Sequence, residues 1–355
     1  MRNLNIIITG AGAPGITGTL YSLKNNYDNR KIRTIGTDIQ SNVIGKYILD
    51  GFYQINRPEI ENEFINDLLR ICKLENIDFI LPQVTEELQT LSKNLSVFEN
   101  IGVRVAVNNS NSLNIANNKY LIIKEGSKCN IPVPKIRLVT SLKEFNIALE
   151  QLDYPEKPIV CKPTIGSGMR GFRILMEDID KYNAWINEKP YNAYISKNEM
   201  IDLLNNHNFP ELILMEYLPG DEYSVDALTL NGRSYATIPR LRAQIRNGIT
   251  FHGIVEKNEN IIEYSNRLID RLKLNYAIGF QFKKDKQGIP KLIECNPRIQ
   301  GTMILSTLAK CNIIYSVIKI LSEEELPKFD INWHTQFLRY WGGISITENE
   351  IDKII

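Results

Sequence analysis

The stretch "GFQFKKDKQGIPKLIECNPR", residues 279–298, reads as two strands joined by a short turn at "DKQG". In the first strand Gln281 stands between Phe280 and Phe282, which strand alternation sends to the opposite face. In the second, Glu294 and Asn296 lie two positions apart and share one face. Side-by-side oxygens from Gln, Glu and Asn make a hard-cation site, and magnesium suits such donors. Glu294 sits between Ile293 and Cys295, where a carboxylate is costly to bury unless paired or metal-bound. A strand end with solvated polar residues is the plainer reading of the same pattern.

Upstream, "VCKPTIGSGMRG" (160–171) places Lys162 at the end of a strand and follows it with a loop carrying Gly166, Gly168 and Gly171. Glycines let a backbone approach polyphosphate closely, and lysine supplies a compact charge. A hairpin loop whose glycines serve only the turn is the alternative. No G-K-[ST] follows, so the loop is not a Walker A motif. In "LMEYLPGDEYSVD" (214–226) an apolar strand runs into a Pro-Gly turn flanked by Glu216, Glu222 and Asp226. The backbone there offers donors and acceptors to a purine edge, and a carboxylate after the turn can accept from ribose hydroxyls. Taken alone, an exposed acidic turn is the better reading of this stretch.

The chain begins with a different signal. "IIITGAGAPGITG" (6–18) spells G-x-G-x-x-G through Gly10, Gly12 and Gly15, and Asp38 ends the next apolar run. That is the spacing of a dinucleotide-binding turn with its ribose-binding acid. Strands are expected at Leu4–Thr9, Ile32–Asp38, Asp78–Leu81 and Val103–Val107. Between them lie helical segments such as "ENEFINDLLRICKLEN" (61–76). This alternation predicts a parallel, doubly wound sheet, with the polar "VTEEL" (84–88) after a strand's carboxyl end, where such folds meet ligands. "NIPVPK" (130–135) reads as an extended connector and a domain boundary. Helical stretches are expected up to about residue 206. Beyond them, "EYSVDALTL" and "SYATIPRLR" form antiparallel strands about Asn231-Gly232, a strong hairpin signal. Residues 300–320 read as helical and those from 322 onward are weakly patterned.

Composition excludes several classes. The 42 Lys and Arg against 41 Asp and Glu leave a formal net charge of +1, with no basic field for nucleic acid and no acidic tail. No apolar run reaches the roughly 18 residues of a membrane-spanning helix, and the N-terminal run enters a glycine turn rather than a cleavage site. Five cysteines without C-x-x-C spacing predict reduced thiols in a cytoplasmic protein, and three scattered histidines speak against a His-based zinc site.

Taken in order, Asn118-Lys119, "KPTIGSGMRG", "MEYLPGDEYSVD", "QF" and "ECNPR" closely resemble the ATP-grasp superfamily, and most of all its branch related to the carbamoyl-phosphate synthase large subunit. The resemblance runs from Met1 to about Asn312. It implies an α/β chain with three parts: a Rossmann-like domain over 1–115, a small lobe with the glycine-rich lid over 116–220, and a large lobe over 221–355. In this family the glycine turn does not bind NAD; Gly10, Gly12 and Gly15 would shape an acceptor-substrate cleft. By motif, Lys119 and Lys162 correspond to the residues that hold ATP phosphates, and Gly166, Ser167 and Gly168 to the lid. Glu216 and the backbone near Leu218 correspond to the adenine hinge, and Glu222 to the ribose-binding acid. Gln281, Glu294 and Asn296 correspond to the magnesium ligands, a site that manganese can also fill. Arg298 corresponds to the arginine that steadies the transferred phosphoryl group. Two departures are Asn118, where relatives carry an acid, and "AKCN" (309–312), which lacks a glycine.

The activity so implied is ATP-dependent ligation: a carboxylate takes the γ-phosphate and an amine displaces it, releasing ADP and phosphate. Arg240 is the candidate to hold the carboxylate, with Arg242, Arg246 and His252 nearby. Substrates would be small molecules; the oligomeric state is open, and many members of the resembled family form dimers. Rival readings are a synthase-like subunit acting on bicarbonate and ammonia, a non-catalytic nucleotide-binding module, and an NAD(P)-binding protein.

Overall fold

The computed structural model describes residues 1–166, 168–187, 193–205, 207–340, 342–347 and 350–354. Its residues group into two compact units: Met1–Ala116 with Glu222–Gln281 and Cys295–Ile355, and Asn117–Asp221 with Phe282–Glu294.

The first unit opens with a parallel sheet of β1 (Leu4–Thr9), β2 (Ile32–Asp38), β3 (Gly51–Gln54), β4 (Phe79–Leu81) and β5 (Arg104–Val105), in the order β3-β2-β1-β4-β5. β1 is apolar on both faces. Ile6 and Ile8 pack into one cluster with Leu228, Met303 and Ile314, while Ile7 joins another with Phe64, Leu68 and Ile71. That double burial is why the strand lacks polar alternation. The helix Glu61–Glu75 presents Phe64, Leu68, Ile71 and Cys72 as one apolar stripe and stops at Asn76 in the left-handed conformation. The chain order reverses between β1 and β4, so the loops at Gly10 and Pro82 flank the crevice where open α/β sheets bind ligands.

The second unit carries β6 (Ile136–Val139), β7 (Ile159–Pro163), β8 (Arg173–Leu175), β9 (Tyr194–Ile195) and β10 (Leu212–Glu216), in the order β6-β10-β7-β8-β9. Its own core gathers Phe145, Leu149, Ile159, Leu175 and Leu214.

A further sheet has the order β15-β14-β11-β12-β13-β16, from β11 (Glu222–Leu230), β12 (Arg233–Arg246), β13 (Ile249–Val255), β14 (Tyr276–Lys284), β15 (Pro290–Asn296) and β16 (Gln336–Leu338). A small antiparallel pair, β17 (Gly343–Ile346) and β18 (Ile351–Ile354), follows. Asn231 and Gly232 turn β11 into β12 with φ of 51° and 80°, the positive pair a two-residue hairpin requires.

Two boundaries differ from the sequence reading. The connector 130–135 does not separate units; the break falls at Ala116/Asn117. Leu292 N–H donates to Pro132 O at 3.0 Å, and a Cβ on Gly126 would meet Leu292 at 2.8 Å, so the connector is part of the second unit's packing. The same contacts draw the turn of the β14–β15 hairpin, 282–294, into that unit. The helical run expected to 206 is interrupted by β9, and the weakly patterned tail carries β16 to β18.

Candidate active site

Lys119 is the first residue of a helix, Lys119–Lys128, capped by the Asn118 side chain, which accepts from Tyr120 N and Leu121 N at 3.0 and 3.1 Å. Asn118, the departure from the family pattern, is thus a strong N-cap. The cap directs a buried Lys119 whose ammonium donates to Gly166 O at 2.7 Å and lies 3.7 Å from Glu294 Oε2. Within the second unit, one cation therefore tethers the glycine loop and faces the metal-type carboxylate. Lys162 is also buried, on β7 opposite Ile213 of β10.

In the loop, Gly166, Gly168, Met169 and Gly171 have φ of 144°, 67°, 62° and 72°. A side chain at Gly171 would strike the Pro163 ring at 2.7 Å. Ser167 lies outside the described residues. At the hinge, Glu216 takes the Lys291 ammonium at 2.5 Å, and Leu218 is buried. The Glu216 carboxylate is therefore engaged.

In the first unit, Glu222 and Arg242 face each other across β11 and β12 in an ion pair. Arg242 also donates to Thr250 Oγ1 at 3.0 Å and Gly248 O at 2.5 Å. Arg240, expected to hold a substrate carboxylate, is 1% exposed and bound by Asp226, itself 0% exposed, through two contacts of 2.7 Å. Ser306 donates to the same carboxylate at 2.6 Å, and Gln300 Oε1 accepts from Arg240 at 3.3 Å. Its charge is answered from within, so Arg240 braces the sheet beneath the site. Arg246 is exposed over the Phe251 ring, and His252 pairs with Gln336 at 3.1 Å.

Gln281 on β14 and Asn296 on β15 are half-buried, as is Glu294, and Phe280 and Phe282 are fully buried on the other side. Among the described residues no three His, Cys, Asp or Glu side chains converge as a metal cluster. By donor type, a carboxylate and amide oxygens suit a hard divalent cation.

Arg298 donates from Nε to Thr85 Oγ1 at 2.9 Å and from Nη2 to Asn296 Oδ1 at 3.4 Å. Thr85 belongs to the "VTEEL" loop, whose chemistry the sequence reading left unassigned. Two residues on, Glu87 is fully buried and accepts from Thr9 Oγ1 and from the N–H groups of Gln83 and Val84 at 3.1 and 3.0 Å. Burial pushes its carboxyl up to about 7, against the pull of these donors and of the Arg298 charge.

The glycine turn is tied to the acid that ends β2. Gly12 N–H, which would face a pyrophosphate, donates to Asp38 Oδ2 at 2.8 Å, and the other oxygen of Asp38 accepts from Gln40 N at 2.9 Å. The acid expected on a ribose thus holds the turn itself.

Residues 6–106 match a model of the PylC-like N-terminal domain. Residues 208–339 match a model described as ATP-grasp in the biosynthetic pathway with Ter operon. A carbamoyl phosphate synthase large chain of Clostridium acetobutylicum is 21% identical over 280 residues, which is 76% of this chain and 24% of the relative. The chain therefore spans only about a quarter of that curated relative's length. Among solved structures, an N5-carboxyaminoimidazole ribonucleotide synthetase in complex with ADP shares 18% identity at a TM-score of 0.67, covering 93% of this chain and 80% of its own. The biotin carboxylase domain dimer of Hydrogenobacter thermophilus 2-oxoglutarate carboxylase, with MgADP and bicarbonate, shares 15% at 0.68, covering 95% and 74%.

Proposed function

Because this chain joins a PylC-like N-terminal domain to an ATP-grasp domain, we propose that it is an ADP-forming ligase that phosphorylates a carboxylate with Mg-ATP and passes the acyl group to an amine. The observation that carries the reading is Lys119, whose ammonium joins the glycine loop at Gly166 to the metal-type Glu294. A buried lysine committed to a loop carbonyl and a carboxylate is poised to exchange those partners for phosphate oxygens.

In this reading Lys119 and Lys162 hold the phosphates, and the 164–171 loop closes over them to keep water from the acyl-phosphate. The backbone near Leu218 receives adenine and Glu222 the ribose, and Arg298 steadies the transferred phosphoryl group. Gln281, Glu294 and Asn296 would hold magnesium, which supplies charge neutralisation on the β- and γ-phosphates. Arg240 acts as a positioning residue rather than a carboxylate clamp. The protein would work in the cytoplasm as a homodimer, the latter checked by light scattering. No helix among the described residues is long and apolar enough to cross a membrane.

The test is ADP and phosphate release from Mg-ATP with pooled carboxylates, with and without amines, using Glu294→Gln as the blank. Release that needs both a carboxylate and an amine supports the ligase. Release only with bicarbonate and ammonia replaces it with the synthase-like reading. Nucleotide binding without release in any pool would leave a binding module.

A further inference from the structure

A groove of about 760 Å³ runs over the first unit from the glycine turn at Pro14 to the strand that carries Arg339. Its walls are mostly apolar and include Thr17 and Tyr21 on the helix Ile16–Lys24, Ile44, Ile304 and Leu338; Lys24, which also lines it, is paired with Asp50 at 2.7 Å. At one end lies Arg339, half-buried, with no carboxylate partner among the described residues. Its guanidinium lies over the Phe337 ring, 5.5 Å from the centroid, and its hydrogen bonds are two long ones, from Nε to Thr250 O at 3.4 Å and from Nη2 to Gly301 O at 3.3 Å. Burial alone holds it below the ordinary arginine range. In this it differs from Arg240 and Arg242, each of which is answered by a carboxylate of its own sheet.

A partly desolvated guanidinium whose donors meet only distant carbonyls is an arrangement that an anion completes. The groove's volume is that of a small-molecule site. Arg339 rests on Gly301, which lines the groove and follows Arg298 by three positions in the chain.

We propose that this groove is the acceptor pocket, and that its occupant is an amphipathic carboxylate: Arg339 takes an anionic oxygen pair while an apolar body lies along Thr17, Tyr21, Ile44 and Ile304. The proposal deepens the ligase reading and rests on it for the fate of the carboxylate. Binding itself needs no nucleotide.

The probes are 4-phenylbutanoate, its neutral amide and acetate, titrated calorimetrically into the full chain, with Mg-ADP titrated separately. Phenylbutanoate is expected to bind about tenfold or more tightly than either the amide or acetate, the loss typical of a charge-assisted bond or of the apolar body. Arg339→Gln should weaken phenylbutanoate by a similar factor and Thr17→Trp should fill the groove and abolish binding, both leaving Mg-ADP affinity unchanged. Absence of phenylbutanoate binding to the wild type overturns the proposal, as does an affinity indifferent to the amide or to Arg339→Gln. Should Arg339→Gln lose its cooperative melt, unchanged affinity in Thr17→Trp overturns it equally. Failure of the wild type to bind Mg-ADP sinks the ligase reading instead, and the groove then stands on its own titration.

Discussion

Glu87 should make the stability of this protein fall as pH rises through neutrality. The residue is buried at the junction of β1 and β4, and its carboxyl is pushed from 4.5 to about 7, first by loss of water. At about 1.36 kcal/mol per unit, that shift corresponds to roughly 3 kcal/mol favouring the protonated form in the fold. The folded pKa is raised, so the contribution is fully present below the unfolded value of 4.5 and is lost as pH climbs through about 7. Glu87→Gln keeps an acceptor for Thr9, Gln83 and Val84 and cannot ionise. Urea midpoints for both proteins between pH 5 and 8 isolate this group from every other titration. The wild type should lose about 2–3 kcal/mol relative to Glu87→Gln between pH 5 and 7.5, with parallel curves beyond pH 8. Parallel profiles across the whole range would refute the assignment of a neutral Glu87. A wild type that gains relative stability with rising pH would mean that the Thr9 and backbone donors outweigh desolvation.

Asp226→Ala should destabilise by about 3–5 kcal/mol in chemical denaturation, because it leaves Arg240 charged and buried without its counter-ion. Gly279→Ala should cost about 1–3 kcal/mol, since its Cβ would lie 1.5 Å from the Gln300 amide. The double variant with Gln300→Ala should recover part of that loss, and a strictly additive cycle would show that the two do not meet. NADH should leave the melting temperature unchanged while Mg-ADP raises it, because Asp38 already occupies the turn's donor at Gly12. Lys119→Met should remove most of the Mg-ADP stabilisation, and an unaltered shift would dissociate Lys119 from nucleotide binding.

The fold was most legible where burial on both faces forces an unbroken β-branched run. β1 and β2 could be read to the residue for that reason, and the β11–β12 hairpin announced itself through Asn231-Gly232. β3 was not legible: it is a four-residue edge strand, "GFYQ", and none of its residues is fully buried. β9, with two residues, carries no periodicity at all. The site's residue types were equally visible, but their partners depend on register. Arg240 shows why. Counting back from the turn, where Leu230 pairs with Arg233, an unbroken ladder would set Arg240 opposite Tyr223, on the face away from Asp226. The register shifts between Leu228 and Thr229, which leaves Tyr235 unpaired and moves Arg240 opposite Ser224. One extra residue turns every following side chain of β12 to the other face. That shift brings Arg240 onto Asp226 and Arg242 onto Glu222, so the arginine that read as a substrate clamp and its neighbour on the strand are internally paired supports. Arg339, just past β16, has no carboxylate partner among the described residues, and it stands in a tail without the periodicity that would have pointed to it.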